Sequence, residues 1–486
     1  MKKNPTSHSE FSDSTLIQHL KVLSNDDIKG LTKFVHTGLH NNRRDVTHFF
    51  DVTVKFYPTF KNKNFSRENI FKVLYPGKKY QDDILRRLSS NLLKIAEEYA
   101  SYSVYKNDRF EYELHLLNFY ASKNIDKLFW KQHAKIINYL EEQPLRDPQY
   151  YYKLGLLDEI ELRYMLKDDP TYKRSSYEKQ MNNLAKYTLS SMLRVYGFAE
   201  YEKYFFNKTY ELKFKEQLIS MSENSEFISS QTVEIYYLLL KLYDDNSSDD
   251  ILYRVKALIE KISHSFTKAE CFSFYIHIFN YCNINKLKKD KDYTVLKFEV
   301  VCKIVEKELV IHNGMIDPGW FRGIFFMAFE AGEIQFAENF IEKYRNIIAG
   351  KDSEHVVNHA YANIAYHKKD YEAALTYLSN ASYQHINDKW IIKEMQLKIY
   401  YEINNYDGFS YVADSIKHLI KEEGSWNENL IIPIRSFVNF STRLFKMKLG
   451  GSKGRLDELK KDISEAKIIR RKWLMEKVEE LEKIQK

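Results

Sequence analysis

The chain is poor in the residues that break helices. Its 486 residues include only 15 glycines and 8 prolines. That is too few turn formers for a sandwich, a barrel or a doubly wound sheet, which need a tight turn every few residues. With 44% hydrophobic residues the sequence is also too apolar for a disordered chain. Cysteine is scarce: Cys271, Cys282 and Cys302 have no CxxC spacing. They read as small buried hydrophobes in a reducing compartment. Long apolar runs are missing too. The richest, Ile235 to Leu240, stops at Lys241, well short of the roughly 18 residues a membrane helix needs. Asn4 to Ser14 is polar where a secretory signal would carry its apolar stretch. These absences together predict a mostly helical protein of the cytoplasm that does not use a membrane.

Catalytic patterns are equally sparse. No HExxH is present, and Lys453 in Gly450–Gly454 lacks the GxxxxGK[ST] frame of a phosphate loop. That glycine-rich stretch reads as a helix–helix turn. His36 and His40 stand four apart with His48 following, but Gly38 interrupts the helix between them and no further ligand has a zinc-like spacing. No metal, cofactor or catalytic residue is assigned, and the expectation is a protein that is not an enzyme.

Charge is present, and it is uneven. The whole net excess of +7 lies in residues 1–110, where 19 Lys and Arg face 12 Asp and Glu. It peaks at Lys61, Lys63, Arg67, Lys72, Lys78 and Lys79, against Glu68 alone. A local basic excess attracts phosphate-rich partners. Aromatic residues make up 15% of the chain, with 37 Tyr and 31 Phe. At helical spacing they serve as bulky filler between packed helices, and in a groove they suit protein recognition.

Five regions follow from the pattern. Residues 1–20 read as a flexible tail. Residues 21–105 read as a basic helical module. Ser24 before Asp26-Asp27 marks a helix start, and a second helix is expected over Asp45–Tyr57, ending before Pro58. Ser66 caps a short helix with Phe65 and Ile70 as a hydrophobic staple. After the turn Tyr75-Pro76-Gly77, Leu85, Leu88, Leu92, Ile95 and Tyr99 form a buried stripe at three- and four-residue steps. Residues 106–315 read as further helix pairs, with helices at about Tyr177–Tyr204, Val233–Tyr243, Ile251–Ser263 and Tyr293–Leu309. Polar breaks are expected at Asp244–Asp250 and Asn283–Lys291. Residues 426–486 read as capping helices, the last being a charged rod over Leu456–Ile484.

Residues 316–425 contain a repeat. Ala328 and Ala337 recur as Ala365 and Ala374, each pair displaced by the same 37 residues. A small residue lets two helices approach closely, and one such pair cannot bury its apolar face without a stacked neighbour. Lys368–Ser382, KKDYEAALTYLSNAS, resembles the turn and second helix of a tetratricopeptide repeat, and Ala331–Tyr344 is similar. In a third unit, Asn405–Phe409, Phe409 stands where the small residue belongs, which argues against close packing there. The resemblance implies an all-α superhelix of antiparallel helix pairs. A protein or peptide partner would sit in its concave groove, on Asn358, Tyr361, Ala362 and Ala365 of the best first helix.

The N-terminal segment resembles the start of a family of bacterial helical-repeat proteins with no assigned activity. The matching features are Phe34-Val35, Asn42 to Asp45, Phe50, Tyr57-Pro58 and Tyr75-Pro76-Gly77 ahead of the Leu-rich helix. Ser66–Tyr99 is also similar in outline to a winged helix, with Tyr102–Tyr105 and Phe110–Tyr112 as the wing. That likeness implies a regulator that binds nucleic acid through residues 24–112, with contacts from Lys72, Lys78, Lys79, Arg86, Arg87 and Lys94. Asp82 and Asp83, at the head of the would-be recognition helix, would repel phosphate. Finally, Arg43 and His48 have a spacing that resembles the arginine–histidine motif of helical RNases of the HEPN class.

Overall fold

The computed structural model describes residues 11–167, 175–206, 208–244, 247–289, 292–351, 353–381, 386–422, 428–450 and 456–485. The protein is all-α and 79% helical, with consecutive helices packed as antiparallel pairs. It divides into two compact units, Met1–Gln143 with Tyr152–Leu184, and Pro144–Tyr151 with Ala185–Lys486.

In the first unit, α1 (Thr15–Lys21) follows a 3-10 turn at Phe11–Asp13. The expected tail is thus partly ordered: Phe11, Leu16, Ile17 and Leu20 are buried, because the apolar spacing of this short helix matches a face of the core. The tail's first ten residues lie outside the described part. The next helices are α2 (Asn25–His36), α3 (Arg44–Val54), α4 (Arg67–Leu74) and α5 (Asp82–Asn107). Their starts obey the local signals. The Ser24 side chain accepts from the Asp27 amide, and the Asp27 carboxylate returns the bond to Ser24 N at 3.0 Å. The Ser66 hydroxyl accepts from the Asn69 amide at 3.2 Å. The second expected helix ends three residues early, at Val54.

On α5 the stripe Leu85, Leu88, Leu92, Ala96 and Tyr99 is buried, with Ala96 taking the place expected of Ile95. Gly30 lets α2 meet it, since a Cβ there would lie 2.0 Å from the Tyr99 hydroxyl. The expected wing does not exist. Tyr102–Tyr105 continue α5, and α6 (Arg109–Ser122) begins at once, its Glu111 amide capped by Asp108 at 3.1 Å. Aromatic strand propensity loses here to tertiary packing, with Tyr102 against Phe34 at 5.8 Å between ring centres. Then come α7 (Asp126–Glu142), most of α8 (Pro148–Met165) and the start of α9 (Ser175–Phe206).

The second unit contains the rest of α8 and α9, and then α10 (Lys215–Ser222), α11 (Ser225–Ile228), α12 (Gln231–Lys241), α13 (Asp249–Ile262), α14 (Lys268–Lys289) and α15 (Thr294–Glu306). The break expected at Asn283–Lys291 is helical as far as Lys289, and Ile284 and Asn285 within it are buried. A two-residue hairpin, β1 (Ile311–His312) with β2 (Met315–Ile316), leads into α16 (Pro318–Ala331) and α17 (Ile334–Tyr344). The pair α18 (Ser353–His367) and α19 (Tyr371–Asn380) follows, then α20 (Ile386–Glu402) and α21 (Tyr406–Glu422).

Ala328, Ala337, Ala365 and Ala374 are all buried in these pairs, as close helix approach requires. In the third pair the small residue has moved by one. Phe409 is buried, and the neighbouring Gly408 faces Tyr400, where a Cβ would lie 2.8 Å from the ring. The chain ends with α22 (Glu428–Lys448), which contains Pro433, α23 (Leu456–Glu465) and α24 (Arg471–Gln485). The expected single rod over Leu456–Ile484 is therefore two helices. Arg470 between them has φ +56°, a left-handed conformation no helix interior adopts. Nor is α24 solvated all round, since Trp473, Leu474, Val478 and Leu481 are buried. The glycine-rich turn at Gly450–Gly454 falls, apart from Gly450, outside the described residues.

Candidate functional site

The four residues expected to line a partner groove do not share an open surface. Ala362 and Ala365 are buried, so they are packing residues and cannot touch a partner. Asn358 and Tyr361 turn toward the second helices. Asn358 Nδ2 stands 3.5 Å from the Asn380 carbonyl at the end of α19. The Tyr361 hydroxyl accepts from Arg345 Nη1 at 2.7 Å and donates to Glu342 Oε1 at 2.6 Å. Its ring lies 5.4 Å from that of Tyr377, which is 36% exposed. These groups form a half-buried aromatic ridge along the edge of α17, α18 and α19.

The other face of α18 carries His359, Asn363 and Tyr366, which helical spacing sets about 140–160° from Tyr361. His359 packs against Phe325 and Phe326 of α16, and the end of this face at Tyr366 meets the chain's own α24. Trp473 Nε1 donates to the Tyr366 hydroxyl at 3.0 Å, and Lys477 Nζ lies 2.8 Å from Glu402 on α20. Arg470 Nε donates to Glu394 Oε1 at 2.9 Å, and Lys398 Nζ is 2.5 Å from the same oxygen. Burial opposes ionisation of Glu394, yet the charges of Lys398 and Arg470 prevail and hold its carboxyl down to about 2. Burial also pushes His359 down to about 3, so it is neutral in the fold. No spacing rule could have paired Arg470 with Glu394, because they lie far apart in the chain.

In the first unit, an open cleft of about 430 Å³ lies between the end of α2 and the start of α3. Its lining includes His36, Asn42, Arg44, His48 and Asp51. Arg44, His48 and Asp51 stand at i, i+4 and i+7 on α3, one polar stripe opposite the buried Val46, Phe49, Phe50 and Thr53. Across the cleft, His36 Nε2 is 2.8 Å from Asp51 Oδ1. Asn41 ties the loop to both helices, its Nδ2 donating to the Val35 carbonyl at 3.0 Å and to the Thr47 hydroxyl at 2.9 Å.

The Arg43–His48 pairing fails here. Arg43 is not on the lining, and its guanidinium grips Asp45 at 2.7 and 3.1 Å. It is Arg44 that shares the face of His48. The three histidines do not converge either: His40 stacks on Phe34 and meets Glu98 at 3.1 Å. Among the described residues no group of three or more His, Cys, Asp or Glu could hold a metal ion.

Of the basic residues expected to meet nucleic acid, Arg86 is tied to Asp82 at 2.5 Å, and Arg67 meets the same carboxylate at 3.0 Å. Lys72, Lys78, Lys79, Arg87 and Lys94 are exposed. Cys271 and Cys282 are buried, which pushes their thiols up to about 11 and about 12 and disfavours the reactive thiolate, whereas Cys302 is half-buried. No helix among the described residues is long and apolar enough to cross a membrane.

No known protein family, no curated protein and no solved structure matches the chain.

Proposed function

We propose that this protein is a non-enzymatic scaffold of the cytoplasm whose helix pairs bind a segment of a partner protein. Residues 316–425 are read as tetratricopeptide-like repeats, supported by the small residues 37 apart and by the pairing of α16 with α17 and α18 with α19. Because α16 and α24 pack on the face with His359 and Tyr366, the partner is placed on the opposite edge, at Tyr361, Tyr377, Arg345 and Asn358. The observation that carries this reading is the pre-organised Tyr361. Its hydroxyl is held from both sides by Arg345 and Glu342 while its ring rests on Tyr377. Rigid aromatic rings beside arginine are what protein-recognition surfaces use, because little side-chain entropy is lost on docking.

The test is Tyr361→Glu, compared with Tyr253→Glu at an exposed tyrosine on α13. Proteins captured by the intact chain are identified by mass spectrometry. The expected result is loss of the same partner from Tyr361→Glu alone, with an unchanged helical circular dichroism spectrum. An identical partner set for both variants would refute the assignment.

A further inference from the structure

The cleft of the first unit has properties the scaffold reading does not use. Arg44 and His48 point into it from one face of α3, and both are exposed. Arg44 makes no ion pair among the described residues, so its fixed positive charge is available. The backbone adds little, because the start of α3 at Arg44 carries its own acid: the Asp45 carboxylate accepts from the Val46 amide at 2.9 Å and is paired with Arg43.

The surroundings extend this positive surface. Tyr75 lies near Arg43, and the Lys78 ammonium is 5.5 Å from the Tyr75 ring centre. Lys78 and Lys79 are exposed and unpaired among the described residues, and this is the segment where the basic excess of the whole chain peaks. One carboxylate faces the cleft, that of Asp51, and it is engaged by His36 at 2.8 Å.

We propose that this cleft holds a backbone phosphate of a nucleic-acid strand. Arg44, His48 and the Asn42 amide are its contacts, and the loop Tyr75–Lys79 carries the neighbouring phosphates. A guanidinium on a helix stripe fits a phosphate oxygen pair. The contacts named all go to phosphate, so recognition is of the backbone and independent of base sequence. The site differs from the winged-helix contacts in using α3 in place of α5, and it stands independently of the Tyr361 edge.

The experiment titrates the full chain against a labelled single-stranded oligonucleotide about 20 residues long, by fluorescence anisotropy across a salt series. Intact protein binds at low salt, and affinity falls linearly on a log–log plot. Arg44→Glu weakens binding by about tenfold or more, and Arg44→Ala lowers the salt slope by about one. Asp51→Asn, which removes the opposing carboxylate, tightens binding. Lys446→Glu, the same charge change on α22, leaves it unchanged. No binding at low salt overturns the proposal. So does an equal loss from Lys446→Glu and Arg44→Glu, or a loss from Asp51→Asn. Displacement by AMP as readily as by unlabelled strand would also overturn it, by making the cleft a mononucleotide pocket.

Discussion

Replacing Glu394 removes the negative centre on which Lys398 and Arg470 converge. The side chain is 4% exposed and that of Lys398 15%, whereas Arg470 is 36% exposed. Glu394→Ala therefore leaves one ammonium buried without a counter-charge and one guanidinium partly reachable by water. Breaking a buried pair from one side costs about 3–5 kcal/mol, and the exposure of Arg470 places this case at the low end.

An independent route gives a similar size. A carboxyl held at about 2 instead of 4.5 contributes about 3 kcal/mol of stability above pH 5. The sign is that of a depressed acid: the contribution is complete above its unfolded value and disappears as pH falls through the folded one. Urea unfolding followed by near-ultraviolet circular dichroism should show the midpoint of Glu394→Ala reduced at pH 7. Between pH 5 and pH 2 the wild type should lose stability more steeply than Glu394→Gln. Replacing Glu394, Lys398 and Arg470 together by Leu, Met and Met should cost far less than Glu394→Ala, because no buried charge is left alone. A Glu394→Ala protein within about 0.5 kcal/mol of wild type would refute the reasoning, since the convergence of Lys398 and Arg470 on Glu394 would then add nothing to stability.

Two further predictions follow from close contacts and burial. Gly30→Ala sets a methyl 2.0 Å from the Tyr99 hydroxyl, so it should destabilise by about 1–3 kcal/mol; adding Tyr99→Phe should recover part of the loss in chemical denaturation, whereas an unrelieved loss would mean backbone strain at residue 30. Cys271 and Cys282, buried with their thiols pushed up to about 11 and about 12, should resist a disulfide reagent in the native protein at pH 8 and react only in denaturant; rapid native labelling of either would show that this part of the core opens.

Much of the helix inventory follows from neighbours in the chain. Ser24, Ser66 and Asp108 start helices by bonding amides three residues away, a preference that needs no tertiary partner. The stripe on α5 and the alanines 37 residues apart are periodic because each helix must turn one face inward. Where a small residue could slide by one, as Gly408 does beside Phe409, the local pattern misled, since either neighbour can supply the space.

What periodicity leaves open is the direction in which each face points and what it meets. The sequence identified α18 as a first helix of a pair, but two of the four residues assigned to its free surface, Ala362 and Ala365, are buried. Its rotation is set by the packing of its buried side against α16, α17 and α19, with α24 meeting it at Tyr366. The contacts of Arg470 with Glu394, Trp473 with Tyr366 and His36 with Asp51 join segments that no short-range rule connects. So does the choice of Arg44 over Arg43 in the cleft, which depends on which face of α3 the core takes. Helix formation is a matter of residues within one turn of each other, whereas the rotation of a helix is decided by the burial of its apolar side against distant partners.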